Sequence, residues 1–226
     1  MMSRVNALTH SLVGKKILMA VSGVLLIGFL VGHVYGNLKV FQGPDHFNAY
    51  AVGLRTLGAP LFGRSHLLWI ARAILLVALA VHLWTAYAVT QASRRARSVR
   101  YRTLDLIATT YAARTMRWGG VVILLFVVYH LLDFTFGRVN PGFVPGDVYR
   151  NVVASFSVPV VAYFYMAALL ALGLHLYHGL WSACQTLGIN HPRYNHLRRA
   201  AAGTLTVLIV AGFIAIPVAV QAGVLR

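Results

Sequence analysis

Three features of this chain predict an all-α membrane bundle of five transmembrane helices. Its 226 residues are 59% hydrophobic, with a mean hydropathy of +0.72. Five apolar stretches each reach the roughly 20 residues a helix needs to cross a bilayer's hydrocarbon core. The 20 Lys and Arg face only four acidic residues, Asp45, Asp105, Asp133 and Asp147, and the basic residues gather between alternate spans. A formal charge of +16 taken alone points to nucleic acid, but apolar stretches of this length make lipid the stronger partner, and no nucleic acid is expected. Without an internal repeat or low-complexity tract, residues 1–226 read as one domain.

The first span, about Ile17 to Asn37, follows Lys15 and Lys16. It is too long for the apolar region of a cleaved signal, and no small-residue site closes it, so it reads as a retained helix. In the connector that follows, Phe47, Tyr50, Ala51 and Leu54 recur at helical spacing before Gly58 and Pro60, which predicts an interfacial helix. The second span covers Leu67–Ala92, the third Trp118–Gly137, the fourth Ser157–Thr186 and the fifth Ala201–Gln221. The second and fourth are long enough to tilt or to project from the membrane. Pro217 is the only proline inside a span and away from its ends.

Orientation follows from the flanking cations. One side collects Arg4, Lys15, Lys16, the run "SRRARSVRYRT", Arg114, Arg117, Arg193, Arg198 and Arg199, thirteen charges in all. The other holds six: Lys39, Arg55, Arg64, Arg138, Arg150 and Arg226. The expected topology has the N-terminus in the cytoplasm and the C-terminus outside, in a cell membrane crossed several times. The single cysteine, Cys184, excludes an internal disulfide and any iron–sulfur cluster built from this chain's own thiolates.

Of ten histidines, His10, His46, His191 and His196 are expected in loops, and His66 opens the second span. His33, His82 and His130 lie in spans one to three, and His175 and His178 in span four. At 1.5 Å of rise per residue, His33 stands roughly 25 Å from the inner edge and His130 about 20 Å, whereas His82 stands about 18 Å from it. His175 lies well past the outer end of the fourth span. An outer pair, His33 with His130, and an inner pair, His82 with His175, result. A lone intramembrane histidine more often bonds a neighbouring helix or lines a polar pathway than holds a metal. Four of them, one per helix and paired by depth, fit two bis-histidine b-type haems better than one four-histidine site. Two axial imidazoles leave iron six-coordinate, suited to electron transfer. No C-x-x-C-H motif exists, so the haems would be non-covalent.

Other residues have two readings each. Gly28, Gly32 and Gly36 repeat every fourth residue beside His33, either to admit a flat macrocycle or to let helices pack closely. Arg72, inside span two, is costly unless a haem propionate, Asp133 or the headgroup region partners it. Ser11, Lys15, Lys16, His178, Trp181 and Gln185 at the inner level, and Asp133 at the outer level, are candidates for a quinone site or a haem edge. Interfacial anchoring, topology charge and an ion pair with Arg72 or Arg138 are the plainer explanations. With no nucleotide motif and no cysteine quartet, substrate oxidation and the iron–sulfur relay must sit on other chains.

The stretches "SLVGKKILMAVSGVLLIGFLVGHVYGNL", "FNAYAVGLRTLG", "RAILLVALAVHLWTAY", "YHLLDFTFG" and "HLYHGLWSACQTLG" resemble the five-helix, two-haem cytochrome b anchor of bacterial succinate dehydrogenases and fumarate reductases. The resemblance runs from about Ser11 through span five. It implies a flavoprotein subunit and an iron–sulfur subunit on the cytoplasmic face, with membrane quinone, menaquinone being the expected type, as the other redox partner. It implies His33, His82, His130 and His175 as axial ligands, selecting His175 over His178 by its position before "GLWS". The proximal haem then takes His82 with His175, and the distal haem His33 with His130. Some members carry an acidic residue in helix four; here Gly173 and Leu174 precede His175 and span four has no carboxylate, so no proton transfer along it is expected. A cytochrome b anchor of a hydrogenase or formate dehydrogenase, and a histidine-relay transporter, are the alternatives. A higher oligomer of the complex is also open.

Overall fold

The computed structural model describes residues 9–96 and 111–226. Arg4, Asp105, the side chain of Arg114 and the part of the expected basic loop in 97–110 lie outside the described residues. The elements in order are α1 (Leu12–Asn37), a 3₁₀ turn (Leu38–Gln42), α2 (Pro44–Thr56), α3 (His66–Arg95), α4 (Tyr111–Phe134), α5 (Val148–Phe156) and α6 (Pro159–Thr186). A second 3₁₀ turn (Pro192–Tyr194) leads into α7 (Asn195–Gln221). Among the described residues there is no strand. Five helices, α1, α3, α4, α6 and α7, are long and apolar enough to cross a membrane.

Four of the five spanning helices begin earlier than hydropathy alone predicts, and α6 begins two residues later. Ser11 caps α1 by accepting a bond from the Gly14 amide at 2.9 Å, so the helix includes Lys15 and Lys16. Helix α7 starts at Asn195, six residues before the expected apolar edge. Hydropathy marks the embedded part of a helix, whereas caps and backbone hydrogen bonds set its ends. Helix α6 opens on Pro159 at its first turn, where the missing amide would have no helical partner. It stops at Gly188, whose φ of +79° suits glycine. His46 and His196, expected in loops, lie in α2 and in the first turn of α7.

The packing is uneven, and the unevenness matters. Helix α1 packs along α3 and α6, and α6 also packs along α4 and α7. Neither α1 with α4 nor α3 with α6 is a closely packed pair. Lys15, Lys16, Arg94, Arg95, Arg198 and Arg199 mark one end of the bundle, hereafter the basic end. Mid-bundle, Val34, Leu169, Leu172, Leu176, Ile209 and Phe213 form a buried apolar cluster. Leu25, Leu76, Leu125, Leu170 and Val207 are exposed on the outer faces, as lipid contact requires.

At the opposite end α2 and α5 close the bundle. Helix α2 covers the residues where a helix was expected: Phe47 is buried and the Tyr50 ring lies against Gly36, whereas Leu54 stays exposed. Helix α5 was not foreseen. Asp147 caps it through the Arg150 amide at 3.0 Å, and Asn48 of α2 donates to the same carboxylate oxygen at 3.0 Å while accepting from the Tyr149 amide. The Asn151 side chain bonds both the amide and the carbonyl of Val144. Val40, Phe47, Phe156, Ala162, Tyr165 and Ile216 form the buried core beneath this cap.

Candidate functional site: two histidine pairs

The gaps between helices that do not pack are where the histidines meet. His33 on α1 and His130 on α4 have ring centres 5.9 Å apart. His82 on α3 and His175 on α6 are 6.2 Å apart. Two imidazoles on opposite sides of one metal, each bonded at about 2 Å, place their ring centres about 6 Å apart. Both pairs meet that spacing. Among the described residues no three His, Cys, Asp or Glu side chains come together as a metal-holding group, so the four histidines make two pairs rather than one quartet.

Depth separates the pairs. The His82 ring sits against Met19 and Ser22 of α1, eleven residues from Ser22 to His33, or about 16 Å of helix. Helix α4 repeats this interval: His130 is ten residues beyond Gly120, the glycine facing the His175 ring, or about 15 Å. His82 therefore lies nearer the basic end than counting from Arg94 predicts, because α3 continues to Arg95 without marking a membrane edge.

The far pair is enclosed by aromatics. Phe29 stacks on His33 at 5.0 Å and Phe213 lies 5.6 Å from it. Phe126, Phe134 and Tyr165 surround His130 at 5.4–6.1 Å. Asp133, one turn past His130, is 1% exposed, and its Oδ2 accepts bonds from Ser155 and Tyr165, both at 2.7 Å. Its other oxygen is buried with no hydrogen-bond partner. The ion pair considered with Arg72 or Arg138 is thus replaced by two hydroxyl donors, and the carboxyl is buried.

Glycines separate the two explanations offered for the α1 repeat. A Cβ on Gly28 or Gly32 would meet nothing within 4 Å, so neither mediates close helix packing. Gly36 does, against Tyr50. At the basic-end pair a Cβ on Gly23 would come within 3.3 Å of His82 Cε1, so the missing side chain lets the ring lie on α1.

The remaining candidates disperse. Arg72 is exposed, its guanidinium 4.8 Å over the Trp69 ring. The guanidinium groups of Arg198 and Arg199 both lie over the Trp181 ring, at 4.7 Å and 4.6 Å. Arg198 also bonds the Ile189 carbonyl and the Asn190 and Asn195 side chains, fastening the α6–α7 turn. Ser11 is committed to its cap, and Lys15 and His178 are half-buried. Gln185 lines a half-polar groove of about 360 Å³ with Val13, Lys16, Met19, Ser182 and Thr186. The neighbouring groove, about 380 Å³ between α1 and α3, is apolar and includes Leu18, Val21, Ser22, Ile74 and Val77. Met19, Ser22 and Gly23 were not singled out from sequence. A serine–glycine pair within an apolar run was the available signal.

The donor chemistry suits two six-coordinate b-type haems. Each pair supplies two imidazoles at the needed spacing, with Nδ1 of His130 and of His175 buried and unpartnered and open space at Gly28 and Gly32. Comparison with protein-family models, with curated proteins and with solved structures gave no match to this chain.

Proposed function

We propose that this chain is the membrane-anchor cytochrome b of a succinate:quinone oxidoreductase, holding two b-type haems between His33 and His130 and between His82 and His175. The observation that carries the reading is the pair of histidine couples, each near 6 Å across and set about 15 Å apart in depth. Bound there, haem iron supplies reversible one-electron chemistry. The chain's own residues do the rest. The imidazoles fix the two sites in depth, the mid-bundle apolar cluster keeps water from between them, and the aromatic shell excludes it from the far pair.

In this reading the basic end faces the cytoplasm, which follows the positive-inside bias and puts the N-terminus inside and the C-terminus outside. The flavoprotein and iron–sulfur partners dock at that end. Quinone finds its hydrogen-bond donors in the groove of Lys16, Ser182, Gln185 and Thr186. Asp133 is set aside as a quinone contact because it is buried among hydroxyls. The transporter alternative loses ground because the spanning helices are continuous rather than broken near their middles.

The test is a reduced-minus-oxidised spectrum with pyridine haemochrome quantification on the purified complex. Two low-spin b haems per chain are expected, with flavin and iron–sulfur subunits co-purifying. A haem-free protein overturns the reading. Two haems alongside a hydrogenase or formate dehydrogenase subunit would keep the cytochrome and reassign the complex.

A further inference from the structure

The four paired histidines are not equivalent. Nδ1 of His82 lies 3.2 Å from the Met19 carbonyl and 3.3 Å from the Ser22 hydroxyl. A carbonyl only accepts, so a ring nitrogen facing it must carry the proton. Ser22 directs its own proton to the Leu18 carbonyl at 2.8 Å or the Met19 carbonyl at 3.1 Å, so its oxygen is also an acceptor toward the ring. Two acceptors therefore converge on one N–H. The nitrogen left with a lone pair is Nε2. Gly23, next in sequence, removes the side chain that would crowd the ring against this seat. In His130 and His175 the corresponding Nδ1 is buried without a partner.

We infer that Ser22, with the Met19 carbonyl, is a positioning residue that fixes the tautomer and orientation of His82 and so sets the ligand strength of the basic-end pair. This rests on the haem reading proposed above. Donation from the outer nitrogen of a metal-bound imidazole makes the ring a stronger ligand and is a general means of tuning a metal site. A stronger donor favours the oxidised metal. The basic-end haem is therefore held at a lower potential than the same pair would give without Ser22, while the far haem is indifferent to it. Ser22 is 4% exposed and its seat is preformed on a single helical turn, so this tuning needs no partner subunit.

The experiment compares wild type, Ser22→Ala and Ser22→Thr in the purified complex, by redox titration resolved for each haem and by low-spin electron paramagnetic resonance. Ser22→Ala should raise the potential of the basic-end haem, shift only that haem's resonance signal, and weaken its retention roughly ten-fold. Ser22→Thr, which keeps the hydroxyl, should restore both signals. Unchanged potentials in Ser22→Ala, or equal shifts at both haems, would overturn the inference while leaving the two-haem reading intact. A wild type without haem would remove that reading instead.

Discussion

The two histidine pairs share a spacing and differ in almost everything around them. The far pair is packed in rings, from Phe29 and Phe213 on one side to Phe126, Phe134 and Tyr165 on the other, beneath two short capping helices. The basic-end pair has polar company: a hydrogen-bonded seat on α1 and, past Met19, a groove with an ammonium, an amide and two hydroxyls. Enclosure without polar partners fixes a site in depth and keeps water out. Polar partners on one ligand make a site tunable, and a groove beside it admits exchange. In the proposed reading, the same residue type in the same pairing thus serves two purposes according to its neighbours.

The strongest way to break this comparison is to remove one ligand at a time. Under the proposed reading, His82→Ala or His175→Ala should abolish the basic-end haem and halve the haem per chain, while His33→Ala or His130→Ala should remove the far one. Haemochrome content with potentiometry reads the difference, and loss of the opposite haem in either case would undo the pairing. Next in size is Asp133→Ala, which strands the buried Ser155 and Tyr165 hydroxyls and should destabilise the far end by on the order of 3 kcal/mol. Thermal loss of the far haem's signal ahead of the other is the expected sign. Replacing Asn48 by Ala removes its bonds to Asp147 and to the Tyr149 amide and should cost about 1–2 kcal/mol, confined to the cap. Faster amide exchange in residues 148–156 would register it.

Acid probes the same cap. The Arg150 amide, and after it Asn48, hold the Asp147 carboxyl below its ordinary value near 3.8. Its contribution is complete above that value and is lost as pH falls through the lowered one, so α5 should loosen only in strong acid. Exchange of residues 148–156 that already rose at pH 5–6 would contradict this. The smallest effect belongs to His178→Ala, which should leave both haems bound; loss of one would mean that His178, not His175, is the ligand.

The five spans were legible because a bilayer demands long apolar helices, and their cores can be read from residue type alone. The pairing was legible from depth, since rise per residue converts sequence position to height. Finer features were not. Helix starts at Leu12 and Asn195 depend on capping and backbone bonds that hydropathy ignores. The role of Asp133 depends on Ser155 and Tyr165, 22 and 32 residues away, which only the packing of α4, α5 and α6 brings together. Ser22 and Gly23 read as small residues in an apolar run until α3 delivers His82 to them. Helix α5 had its signal in Asp147 followed by apolar positions at Val148, Val152 and Phe156, an overlooked cap and stripe.

The interval between the pairs has an electrical consequence. About 15 Å is roughly half of a ~30 Å hydrocarbon core. Under the proposed reading, an electron passing between the pairs moves through about half the membrane voltage, worth on the order of 1 kcal/mol for each 100 mV across the bilayer. The cluster of Val34, Leu169, Leu172, Leu176, Ile209 and Phe213 offers no group to carry a compensating proton alongside. The middle of the bundle then acts as the dielectric of a small capacitor, and turnover becomes sensitive to how strongly the membrane is energised.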